Sequence, residues 1–179
     1  MSEYKIPLER KILGFVVTLL TSMVIISFVP ALARAVEKGS LRIGEPPPKI
    51  TLPDLNRYNV TIPDDFKGKV VIIHFWAVWC RQCLEELSTL ESLYTNYKRK
   101  GLIIVAINVG QSEEEVRSFV KKVKITYSVF LDPVRKVAKK YGVSGLPKTF
   151  ILERDGLIKY KIYGEATEDK LKKLVLSIL

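Results

Sequence analysis

The stretch from Val70 to Leu87 reads VVIIHFWAVWCRQCLEEL, and its reading decides the fold. Val70 to Phe75 are almost all apolar and rich in β-branched types, the pattern of a strand buried on both faces. Trp76, Ala77, Val78 and Trp79 follow, and then Cys80-Arg81-Gln82-Cys83. From Leu84 the period changes. Leu84, Leu87, Leu90, Tyr94 and Tyr97 recur at intervals of three and four, one face of a helix. A Cys-x-x-Cys pair therefore stands where a buried strand becomes a helix, with the first sulfur at the helix N-terminus.

That placement has chemical consequences. The thiolate is the nucleophile in thiol chemistry, and helix-end N–H groups together with a nearby cation lower a thiol's pKa from about 8.5. Cys80 has the helix end and Arg81 beside it, whereas Cys83, one turn in, is expected to face the core. Two intervening residues let one helical turn bring the sulfurs together, so a Cys80–Cys83 bond can close and open without rebuilding the fold. A zinc site uses the same spacing but needs about four ligands. This chain has two cysteines and one histidine, so no metal is expected.

The segment FWAVWCRQC, with FKGKVVIIH before it and Gly145-Leu146-Pro147-Lys148-Thr149-Phe150 far downstream, resembles the thioredoxin superfamily. More closely it resembles the membrane-anchored ResA/TlpA/CcmG-type thiol-disulfide oxidoreductases, from about Ile43 to the C-terminus. The resemblance implies an α/β thioredoxin fold, a central mixed sheet flanked by helices, with an N-terminal β-hairpin and a strand–helix insertion. It implies no cofactor beyond the redox-active Cys80–Cys83 disulfide. It also implies protein disulfide clients, notably the haem-binding Cys-x-x-Cys-His of apocytochrome c, and a membrane electron donor of the CcdA or DsbD type. Pro147 resembles the cis-proline that faces the cysteines in this family, where the Leu146 backbone would pair with an extended client segment.

Composition bounds the rest. A chain of 179 residues, 47% hydrophobic, suits one compact domain plus an extension. The net charge is +10, but the lysines are scattered over helix faces and ends with no aromatic-interleaved stripe. A solvated surface near anionic lipid fits this better than a nucleic-acid interface. Residues 1–11 read as a cytoplasmic segment. Residues 12–33 read as a transmembrane anchor or uncleaved signal, since the uncharged run beginning ILGFVVTLLTSMVIISFV exceeds the roughly 7–15 residues of a signal-peptide core. Small-residue triplets at Ala31-Leu32-Ala33 and Ala33-Arg34-Ala35 argue for cleavage, and length for an uncleaved anchor. Residues 34–48, ending in Gly44-Glu45-Pro46-Pro47-Pro48, read as a semi-stiff spacer. Residues 49–179 are the expected thioredoxin-like domain. By resemblance it lies on the extracytoplasmic side of a cell membrane crossed once.

Within that domain, Ile50 and Leu52 alternate with polar neighbours, as do Val60 and Ile62, which predicts an antiparallel hairpin. Leu102 to Val109 predicts a second buried parallel strand. Ser112 and Glu115 form a capping-box pattern. Asp132-Pro133 is expected to start a helix, with Val134, Val137, Ala138 and Tyr141 on its buried side.

Two ionisable residues near the cysteines are candidate proton carriers. Glu86 shares the helix face of Cys83 three residues on, and a carboxylate there could take the resolving thiol's proton if burial raises its pKa. In ResA-like proteins a glutamate at the matching position lies close to the active site. His74 interrupts the buried strand and is a possible second member of the relay, or simply a satisfied core residue. Trp79 is expected to shield the sulfurs and, with Leu146 and Pro147, to form the client-binding side. Three alternatives remain open: an oxidoreductase for other clients, a thiol peroxidase and a copper-delivery module. The peroxidatic Pro-x-x-x-Thr-x-x-Cys context is missing, and copper modules use a longer cysteine spacing and a distal histidine.

Overall fold

A computed structural model of the chain describes residues 41–179; the anchor and cytoplasmic segments read from the sequence lie outside the described residues. The order of elements is a hairpin β1 (Ile50–Pro53) and β2 (Asn59–Ile62), then β3 (Val70–Trp76), α1 (Arg81–Tyr97) and β4 (Leu102–Val109). These are followed by α2 (Glu113–Val123), β5 (Ser128–Asp132), α3 (Lys136–Lys140), β6 (Lys148–Leu152), β7 (Ile158–Tyr163) and α4 (Glu168–Leu176). The sheet order is β5-β4-β3-β6-β7, with β3 parallel to β4, β4 parallel to β5, and β6 and β7 antiparallel. It is the thioredoxin-like arrangement, with the β1–β2 hairpin as a separate two-stranded sheet.

All seven residues of β3 are buried, as its almost wholly apolar run, interrupted by His74, requires of a strand at the centre of a covered sheet. Its alternation divides the core. Val70, Ile72 and Trp76 join Leu87, Leu90 and Leu93 of α1, Val116 of α2 and Leu171 and Val175 of α4 on one face. Val71, Ile73 and Phe75 join Ile50 and Ile62 of the hairpin and Val137, Ala138 and Tyr141 on the other. His74, being even-numbered, falls on the α1 face.

Helix α2 carries its capping box in full: the Ser112 hydroxyl accepts from the Glu115 N–H, and the Glu115 carboxylate accepts from the Ser112 N–H. Helix α3 departs from expectation. Asp132 ends β5 rather than starting the helix, and Val134 is 79% exposed. The buried Asp132 carboxylate nevertheless caps the helix from a distance, accepting from the N–H groups of Val137 at 3.1 Å and Ala138 at 2.7 Å. Residues 41–48 lie against the domain: Gly44 N–H donates to Ile158 C=O, Ile158 N–H donates to Glu45 C=O, and Tyr141 Oη donates to Pro48 C=O. None of the described helices is long and apolar enough to cross a membrane.

Candidate active site

Strand β3 ends at Trp76, and the turn Ala77–Trp79 delivers Cys80 to the N-cap of α1. The turn is pinned from β4. Gln111 Oε1 accepts from the Val78 N–H at 2.6 Å and from Asn108 Nδ2 at 3.1 Å. Cys80 and Cys83 are joined as a disulfide with Cα atoms 5.3 Å apart. The Cys83 N–H points at Cys80 Sγ across 3.3 Å, so the unpaired end of the helix is aimed at the first sulfur. Cys80 is 7% exposed and Cys83 fully buried, which leaves Cys80 as the sulfur a client can reach. Arg81 points into solvent and pairs with Glu85 at 3.7 Å. Its charge is screened there.

Ahead of β6, which pairs with β3, the Leu146–Pro147 peptide bond is cis. Pro147 C=O accepts from Gly164 N–H at 3.0 Å, while the N–H and C=O of Leu146 take no backbone partner among the described residues. Trp79, directly before Cys80 in the chain, is 68% exposed. Trp76 is the buried one, packed against Phe119 of α2 with ring centroids 5.5 Å apart.

Behind Cys83 lies a polar cluster inside the apolar core. Glu86, one turn further along α1, is 1% exposed, and among the described residues neither of its carboxyl oxygens completes a hydrogen bond. Burial pushes its carboxyl up to about 7, helped by the Glu165 carboxylate, while the Ala166 backbone, the Thr149 hydroxyl and the Lys170 ammonium pull the other way. His74 Nδ1 is 4.0 Å from Glu86 Oε1 and 2.9 Å from Thr149 Oγ1, and Nε2 has no partner among the described residues. Burial holds the imidazole down to about 3, so it is neutral at physiological pH. His74 and Thr149 are direct cross-strand partners in the β3–β6 ladder. No group of three or more metal-ligating side chains occurs among the described residues.

A family model described as AhpC/TSA matches residues 43–161. A thiol-disulfide oxidoreductase ResA of Bacillus thuringiensis is 33% identical over 138 residues, covering 77% of this chain and 79% of the relative. The chain belongs to the ResA-type thiol-disulfide oxidoreductases of the AhpC/TSA family. Solved structures agree. A protein of Chlorobium tepidum assigned as a thiol:disulfide interchange protein DsbE superposes with a TM-score of 0.73 at 30% identity, covering 78% of this chain and 99% of that one. StoA of Bacillus subtilis superposes with a TM-score of 0.62 at 28% identity, covering 71% and 96%.

In this ResA-type oxidoreductase the sequence-derived candidates Cys80, Cys83, Glu86, His74, Trp79, Leu146 and Pro147 all come from the end of β3, the first turns of α1 and the loop before β6. Gln111 is not singled out by the sequence, and Lys148 and Thr149 enter it only as part of the motif around Pro147, with no role of their own. Thr149 matters only through its register opposite His74. Gln111 matters through a side-chain bond to a turn 33 residues away.

Proposed function

We propose that this chain is an extracytoplasmic protein-disulfide reductase that keeps client Cys-x-x-Cys pairs reduced, with apocytochrome c as the client class and a CcdA- or DsbD-type membrane protein as electron donor. The observation that carries the chemistry is the pairing of an approachable Cys80 at a helix N-terminus with a buried Cys83 backed by a carboxyl of pKa about 7. The client and donor classes follow the ResA-type kinship. The uncharged run from Ile12 to Val29 supports a single membrane anchor.

In the reduced protein, Cys80 as thiolate attacks one sulfur of a client disulfide. A Cys80–client bond forms, and the other client sulfur leaves as a thiolate that takes a proton from solvent. The Cys83 thiol then gives its proton to the Glu86 carboxylate and attacks Cys80 Sγ. The mixed disulfide breaks, the Cys80–Cys83 bond forms and the second client thiolate is released. Two electrons pass from the dithiol to the client. A carboxyl near 7 suits this step, being ionised often enough to accept the proton and basic enough to hold it. His74 remains neutral and fixes the Thr149 hydroxyl beside the carboxyl. Leu146, whose N–H and C=O have no backbone partner among the described residues, pairs with the client backbone by strand addition, and Trp79 covers the client side chains.

The test is the reduction potential of the full chain, equilibrated in redox buffers and read by tryptophan fluorescence or thiol alkylation. A potential at or below about −270 mV is the expected result for a reductant, whereas one near −120 mV marks a disulfide donor and overturns the direction proposed.

A further inference from the structure

Lys148 is a buried cation to which the exchange chemistry gives no task. It follows Pro147 directly and opens β6, yet it is only 4% exposed. Among the described residues its Nζ has no hydrogen-bond partner; it lies 5.3 Å from the Phe150 ring centroid and sits against the ring of Tyr163 on β7. The neighbours from β3 and β7 are Phe75 and Tyr163, its partners in register. The charged or titratable groups acting on it are Tyr163, which favours the ammonium, and Lys161, which opposes it. No carboxylate among the described residues pairs with it. A buried ammonium without a counter-ion is a standing cost that an apolar residue of the same length would avoid.

The position explains what such a cation could serve. Lys148 lines a small pocket of about 150 Å³ together with Gly145, Leu146, Pro147 and Tyr163. The pocket is therefore continuous with the loop to which the client strand is proposed to add. Tyr163 is 66% exposed and so stands at the surface of this pocket, where side-chain rotamer changes are common when a partner docks. Leu146 and Lys148 are two residues apart and line the same pocket, so a client residue close to the one paired with Leu146 reaches the pocket mouth.

We propose that this pocket is a client subsite for a carboxylate, the side chain of an Asp or Glu within two residues of the attacked client cysteine, with Lys148 as its counter-ion. The proposal rests on the exchange reading above. An arriving carboxylate supplies the anion that the free protein lacks, so binding removes a cost already present in the unliganded state, and acidic clients are selected over neutral ones at the docking step.

The test uses the reduced full chain and a set of C-terminally amidated peptides, each closed by an internal Cys-x-x-Cys disulfide. They carry Glu or Gln at each position within two residues of the attacked cysteine. At least one Glu peptide is expected to exchange about tenfold faster than its Gln counterpart, through a lower half-saturating concentration rather than a higher maximal rate. Lys148→Met is expected to erase that ratio. Lys172→Met, which removes an equal charge from the exposed side of α4, is expected to keep it. Equal rates for every Glu/Gln pair with the unmutated chain overturn the proposal, and that comparison needs no variant to fold. Loss of the preference in Lys172→Met as well reduces it to long-range attraction and also overturns it. If no peptide of either kind exchanges, the reductase reading itself falls and takes the subsite with it.

Discussion

Replacing Glu86 by Gln is expected to stabilise the protein at neutral and alkaline pH while slowing its second chemical step. The carboxyl rises from an ordinary 4.5 to about 7 because it is buried, with the Glu165 carboxylate adding to the shift. As pH rises, the unfolded chain releases this proton near 4.5 while the native chain keeps it until about 7. Between those values the native state holds more protons than the unfolded one, so stability falls as pH rises. Below 4.5 the penalty is absent, and above 7 it is complete. At about 1.4 kcal/mol per pH unit, the displacement amounts to about 3 kcal/mol. Gln cannot ionise and fills nearly the same volume. The stability difference between Glu86→Gln and the unmutated chain should therefore grow by about 3 kcal/mol in favour of the variant between pH 4 and pH 8.5. Equilibrium urea unfolding of the oxidised form at four or five pH values measures it. Release of client from the Cys80 mixed disulfide should slow by roughly 10²-fold, the usual order for losing a positioned acid–base group. Parallel unfolding free energies for the two proteins across that pH range would refute the reasoning, because Glu86 would then titrate as it does in the unfolded chain.

His74 has the opposite sign. Its native pKa of about 3 against 6.5 means that the unfolded chain binds the extra proton first, so stability is lost as pH falls from about 6.5 toward 3. His74→Asn should flatten that acid limb in unfolding experiments, and where the His74 and Glu86 ranges overlap, the unmutated chain should show a shallow pH dependence. Asp132→Ala removes the acceptor for two helix N–H groups, and urea unfolding should register a loss of about 2 kcal/mol with exchange kinetics nearly unchanged. Trp79→Ala, at a largely exposed ring, should alter stability by less than about 0.5 kcal/mol. It should nevertheless raise the half-saturating concentration for peptide disulfides, as stopped-flow fluorescence of the remaining Trp76 would report.

Much of the site was legible because its signals lie within short stretches of chain. The change of period between Phe75 and Leu84 is a property of neighbouring residues, and it put Cys80 at a helix end before any packing was known. Glu86 follows from helical spacing, one turn from Cys83, together with the glutamate at the matching position of ResA-like proteins. The antiparallel hairpin and the Ser112–Glu115 capping box were equally local and are present in the fold. Asp132 was correctly linked to a helix N-terminus but one turn too early, because its carboxylate reaches forward to Val137 and Ala138 instead of capping its immediate successors.

The sequence by itself determined the strand–turn–helix that presents two sulfurs, the period of each buried face and the proline ahead of β6, since each follows from propensities and spacings inside a few residues. Tertiary structure alone decided the rest. Thr149 meets His74 through the antiparallel register of strands 75 residues apart. Gln111 holds the turn at Val78 across 33 residues. Glu86 acquires its raised pKa from the apolar surroundings that β3, β6 and α4 build over it. Lys148 is stripped of water without a counter-ion by two aromatic rings. Register and desolvation depend on which distant elements pack together, and no window of the chain contains that information.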